Sequence, residues 1–225
     1  MLLRKSLITV FLVLFVDQFL KIWIKTNLML GDEIPVFGNW FILHFTENEG
    51  MAFGMKLGGQ YGKLLLSLFR IIAVSFIGYY VLHLIKNKAN TSLVICMSFI
   101  FAGAMGNIID SAFYGLIFTE SYFSVASMFP SGGGYASFLH GKVVDMFYFP
   151  IIDGTYPKWV PFWGGDYFQF FRPVFNVADS AISVGVFMLI IFQKRMFAKD
   201  EESTEEIPED APEEDAPKEN TPENS

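Results

Sequence analysis

Across 225 residues this chain has only one cysteine and three histidines. A lone thiol, Cys96, excludes a disulfide framework and a cysteine-based metal site within the chain. His44, His83 and His140 share no metal-ligand spacing, so no metal is expected, and no Ser–His or Cys–His arrangement offers an activated nucleophile. Acid is scarce as well, until the end. Residues 1–199 contain 11 Asp and Glu against 15 Lys and Arg, whereas residues 200–225 contain 12 acids and one Lys. The net charge of −7 therefore conceals a mildly basic body and an acidic tail. That tail is rich in Glu and Pro and has almost nothing to bury, so it is expected to be a disordered, solvated cytoplasmic extension. Neither a cofactor nor a nucleic-acid partner is expected.

Apolar residues dominate instead. They make up 52% of the chain, with 26 Phe, and the mean hydropathy is +0.40. This composition suits a small integral membrane protein of one domain, residues 1–199, followed by the tail. Four runs, about 6–24, 64–85, 91–109 and 174–192, each approach the roughly 20 residues a helix needs to cross a bilayer. The first is preceded by Arg4 and Lys5 but followed by Asp17, Lys21, Trp23 and Lys25 rather than a small-residue cleavage site. It reads as a retained helix, not a removed leader.

Lysine and arginine set the orientation. Arg4 and Lys5, Lys86 and Lys88, and Lys194, Arg195 and Lys199 flank the helix ends that belong in the cytoplasm. Both termini then lie inside, and loops 25–63 and 111–173 lie outside. The second loop contains SGGGY and the aromatic stretch YPKWVPFWGGDYFQFF, which favours the headgroup level of the membrane.

Ionised carboxylates in hydrocarbon cost at least a few kcal/mol, so Asp17, Asp110 and Asp179, inside or at the ends of these spans, need a reason to be there. At about 1.5 Å per helical residue, Asp17 falls roughly 10 Å below the outer end of the first span and Asp179 roughly 7–8 Å below that of the fourth. Asn107 and Asp110 fall in the last turn of the third. All lean toward the outer face. The spacing Asn-x-x-Asp occurs twice, at Asn107/Asp110 and at Asn176/Asp179, and places each pair on one helix face. Asn176 has the position of an N-cap; Asp179 reads as too deep for that role. Gly103 and Gly106 allow close helix packing. Asp17 and Lys21 stand i,i+4 and can satisfy each other. In KVVDMFYF the extended alternation and apolar flanks suggest a segment lying on the helix bundle that carries Asp145 to Asp179. Asn48, Gly50 and Gly54 mark a turn that could wall a pocket. Two carboxylates held close share a proton, so one can draw a proton from water while the other donates to a carbonyl oxygen. That is peptide hydrolysis with neither a metal nor a covalent intermediate. A small proton-coupled transporter or channel subunit is the alternative, and it predicts acids spread through the membrane depth. A purely structural subunit would leave Asp145 and Asp179 without a shared purpose.

DQFLK (17–21), NEGMAFG (48–54), GNIID (106–110), VVDMF (143–147) and FNVADSAISVG (175–185) occur in the order found in bacterial lipoprotein signal peptidases, the type II signal peptidases, which the chain resembles. The resemblance implies an all-α membrane protein of four transmembrane helices with a small extracytoplasmic β-sheet platform. It implies an aspartic endopeptidase of the inner membrane, cutting prolipoproteins before a diacylglyceryl-modified cysteine, with such precursors and membrane lipids as partners. The catalytic pair would be Asp145 and Asp179. Asn48, Gly50, Asn107, Asp110, Asn176 and Ala178 would line or brace the site, and Asp17 would support the first helix. Ser111 stands where the family usually has Arg. The spacings from Asp110 to Asp145 and from Asp145 to Asp179 exceed the family's pattern. The added stretches, about 117–140 and 154–169, have no counterpart in it.

Overall fold

The computed structural model describes residues 1–49, 59–150, 152–170 and 173–197. Residues 50–54 of the NEGMAFG turn, Gly50 among them, and the acidic tail lie outside the described residues. Among the described residues, four helices are long and apolar enough to cross a membrane: α1 (Leu2–Asn27), α2 (Gly59–Lys86), α3 (Thr91–Ile109) and α5 (Val177–Phe197). Their lipid-facing sides are lined by exposed residues such as Phe11, Phe15, Phe69 and Phe76. Exposed apolar faces of this size belong in hydrocarbon. The turn between α2 and α3 is short, and Asn90 caps α3 by accepting from the Ser92 amide at 2.9 Å.

Beyond Ile109 the helix does not stop as its sequence suggests. It widens into a π-helical turn, Asp110–Tyr114, and a single α turn, α4 (Gly115–Ile117). A π turn leaves carbonyls without their usual donors. Here the returning chain supplies them: Gly141 donates to Ser111 at 2.8 Å and Leu139 to Ala112 at 3.3 Å. The stretch between, residues 118–142, thus packs back on the bundle.

The small β-sheet platform expected from the resemblance is a four-stranded antiparallel sheet in the order β1 (Glu33–Phe37), β2 (Phe41–Asn48), β3 (Val143–Tyr148), β6 (Val174–Phe175). A separate two-stranded hairpin joins β4 (Ile152–Thr155) to β5 (Tyr167–Phe170). Val174 and Phe175 were expected to open the fourth helix. They form β6 instead, in register with Tyr148 and Phe147, and α5 starts only at Val177. Pairing with β3 satisfies their backbone groups better than a fraying first helical turn could.

Beneath the sheet lies a core of Ile24, Phe45, Tyr114, Phe118, Val144 and Met146. It joins the carboxyl end of α1, strands β2 and β3 and the turn after α3.

Candidate active site

Strand alternation explains why Asp145 sits where it does. Its neighbours Val144 and Met146 point into the core and are fully buried, so Asp145 must point to the opposite face of β3. There it lies in register with Thr46 of β2 and is itself buried.

Asn176 is the joint between β6 and α5, and it serves both candidate carboxylates. Its side-chain oxygen accepts from the Asp179 amide at 2.9 Å, and its own amide donates to Asp179 Oδ2 at 3.3 Å. This is a reciprocal N-terminal cap. The side-chain nitrogen of Asn176 then donates to Asp145 Oδ1 at 2.7 Å and to the Val144 carbonyl at 3.2 Å. The late start of α5 corrects the depth expected for Asp179. It lies in the first turn and belongs to the cap, rather than lying too deep for one.

Asn107 on α3 meets this pair from the other side. Its nitrogen donates to Asp179 Oδ1 at 2.9 Å, and its oxygen accepts from Asn176 at 3.2 Å and from Lys21 Nζ at 3.0 Å. An ammonium can only donate, so Lys21 fixes the direction of this amide and turns its nitrogen toward Asp179. Lys21 also pairs with Asp17 at 3.0 Å and Asp110 at 2.7 Å, all three side chains being fully buried. The i,i+4 pair of Asp17 and Lys21 is therefore not self-contained, as its spacing suggested. It is one corner of a wider network.

Each remaining member ties an element to another. Asp17 accepts from the Ala178 amide at 2.8 Å, which docks α1 on the amino end of α5. A side chain at Gly106 would meet Asp17 Oδ2 at 2.7 Å, so this approach of α1 to α3 requires glycine. Asp110 accepts from Gln18 at 2.9 Å and from the Val144 amide at 3.3 Å, holding β3 beside α3. Asn48 at the end of β2 hydrogen-bonds Asp145. On α2, Arg70 lies within electrostatic reach of Asp179, Asp145 and Asp110.

Of the residues expected from the sequence, Asp17, Asn48, Asn107, Asp110, Asp145, Asn176, Ala178 and Asp179 thus belong to one hydrogen-bonded cluster; Gly50 is outside the described residues. Sequence reasoning did not assign Lys21, Gln18 and Arg70 to the site. Lys21 carried a signal, because a lysine in an apolar span demands an acid partner, but its second and third partners are remote in sequence.

Burial is the main influence on Asp145, followed by the charge of Asp179. Together they push its carboxyl up to about 7, against the opposing pull of Lys21 and the amides of Asn176 and Asn48. Asp145 therefore exchanges its proton near neutrality. A buried acid of this kind beside a second carboxylate can donate a proton while its neighbour accepts one. The acids also gather in one cluster where α1, α3 and α5 meet, unlike the spread along the membrane depth that a proton relay predicts.

A family model described as signal peptidase (SPase) II matches residues 9–195. The lipoprotein signal peptidase of Porphyromonas gingivalis is 50% identical over 199 residues, covering 88% of this chain and 86% of its own. That of Amoebophilus asiaticus is 41% identical over 183 residues, covering 80% and 73%. Among solved structures, a bacterial membrane enzyme determined by the in meso method at 1.9 Å resolution is 25% identical with a TM-score of 0.53, covering 84% of this chain and 92% of its own. A second, determined at 2.3 Å, has the same TM-score at 23% identity, covering 88% and 94%.

Proposed function

Because the chain belongs to the signal peptidase II family, we propose that Asp145 and Asp179 form its catalytic pair. The protein is a multi-pass membrane protease that cleaves signal peptides from lipoprotein precursors. Asp179 takes a proton from a water molecule as the oxygen attacks the scissile carbonyl carbon. Asp145 donates its proton to the carbonyl oxygen. Collapse of the tetrahedral intermediate then breaks the C–N bond, with a proton returned to the leaving amine. Asn107 and Asn176 hold the two carboxyl groups by hydrogen bonds whose directions are set by Lys21 and by the cap of α5.

The bond cut is the one before a diacylglyceryl-modified cysteine. The lipid places that cysteine at the headgroup layer, and the signal peptide is an apolar helix below it. A carboxyl pair where β3 meets the first turn of α5 stands between the two. Positive residues at the opposite helix ends put both termini in the cytoplasm and the sheet on the extracytoplasmic side.

The observation that carries this assignment is Asn176, one side chain bridging Asp145 and the first turn of Asp179. Asp145→Asn and Asp179→Asn are each expected to reduce cleavage of a diacylglyceryl-modified precursor by about a thousandfold in proteoliposomes, with folding intact. Full activity in either variant would refute the pair.

A further inference from the structure

The two stretches added to the family pattern differ in kind. The second, β4–β5 and its connection, forms its own sheet apart from the other four strands. A lone two-stranded hairpin is marginal in water and needs a surface to lie on. Its connection is nevertheless well ordered by its own backbone. Tyr156 donates to Asp166 and Gly165 to Tyr156, both at 2.9 Å, while Gly164 donates to Val160 at 2.9 Å. This tip displays Trp159, Phe162 and Trp163, which are 81%, 96% and 60% exposed. Phe162 also adopts a positive φ of 69°, a conformation that costs a bulky residue about 1–3 kcal/mol. Packing within the chain does not offset that cost, because the ring is almost wholly exposed.

The root of the hairpin identifies the missing surface. β5 ends at Phe170, β6 begins at Val174, and the membrane-crossing helix α5 begins at Val177. Strands of four residues place the base of the tip roughly 13 Å from that root. Trp and Tyr prefer the layer where headgroups meet acyl chains, with their polar atoms toward water, and a Phe between them adds a ring for the acyl side. We propose that residues 156–166 form a membrane anchor, seated by Trp159, Phe162 and Trp163 in the headgroup layer of the bilayer that the four helices cross. The anchor makes the sheet-to-α5 joint, and hence Asn176, a point held from both sides of the membrane surface.

This inference rests on the spans and not on the peptidase chemistry, so it can fail separately. Nitroxide labels on Phe162→Cys and Trp159→Cys test it in liposomes of phosphatidylethanolamine and phosphatidylglycerol; native Cys96 is buried and does not compete for the reagent. Collisions with a polar nickel reagent are expected to fall to roughly a tenth of those of a water-exposed label, while collisions with oxygen persist. Water-like collision rates at both positions would overturn the proposal. So would labels that are water-like in empty liposomes and become shielded only when acylated precursor is added, since the tip would then be a substrate clamp.

Discussion

Lys21 and Lys25 stand one turn apart on α1, both fully buried, yet they do different things. Lys21 meets two carboxylates and an amide, and through Asn107 it orients a donor toward Asp179. Lys25 forms a close ion pair with Glu47, donates to Ser121 at 2.8 Å, and faces the rings of Tyr135 and Phe118 at 5.0 and 5.5 Å. Ser121 and Tyr135 belong to the first added stretch, and Glu47 lies on β2. Strand alternation puts Glu47 on the face opposite Thr46 and Asn48, away from Asp145. One lysine thus braces the proposed catalytic pair; the other locks the added stretch beneath the sheet. Lys142 completes the second cluster, 3.4 Å from Glu47 and 3.2 Å from Glu120. The identity of a buried cation says little about its task; the elements it joins decide that.

The contrast can be tested by removing each partner. The largest effect is expected for Lys21→Met. It leaves Asp17 and Asp110 unpaired in the interior, costing about 3–5 kcal/mol in stability. Cleavage should fall about a hundredfold or more in the protein that remains folded. Adding Asp110→Asn should recover part of the stability but not the activity. If the double variant cleaves normally, Lys21 does not position Asn107.

Asp145→Asn should move stability the other way. The native carboxyl is pushed up to about 7 from an ordinary 3.8. Below about pH 4 the acid is neutral whether folded or not, and it costs nothing. From about pH 4 to 7 the unfolded chain ionises while the folded one holds its proton, and stability falls as pH rises. The asparagine variant escapes this loss, so it should be the more stable by up to about 4 kcal/mol at pH 8 and equal at pH 4 in detergent unfolding curves. The same proton predicts that cleavage by the native protein declines as pH rises through about 7.

Lys25→Met should cost about 2 kcal/mol, less than Lys21→Met because Lys142 remains to neutralise Glu47. Turnover of the folded fraction should stay within about threefold. A loss as deep as that of Lys21→Met would erase the distinction between the clusters. Lys142→Met is the smallest change, under about 1 kcal/mol and weaker in high salt, because its pair with Glu120 is half-exposed.

Much of the site was legible in the chain. The repeated Asn-x-x-Asp spacing marked two helix faces, and the apolar flanks of Asp145 marked a strand that buries its neighbours. What sequence reasoning missed has a common cause. Val174 and Phe175 read as helix because they are apolar, and only β3 beside them makes them a strand. Asp110 reads as a helix end, and only Gly141 and Leu139 returning from thirty residues away stabilise the wide turn that carries the helix onward. The second long loop, 111–173, was expected at the membrane surface as one unit. The structure separates that loop into a stretch pinned to the body at the buried Phe118 and Ser121 and a hairpin with an exposed aromatic tip.

The sequence by itself determined that four apolar helices cross a membrane and that a few acids and amides must find one another near one surface. Hydrophobicity and helical spacing are local properties, and a bilayer leaves few other outcomes. Only the tertiary structure decided which of them meet: that Lys21 joins Asp17 to Asp110 rather than closing on one partner, and that Asn176 holds both Asp145 and Asp179. Those contacts link residues far apart in the chain, and their geometry follows from strand register and helix packing, which no local pattern encodes.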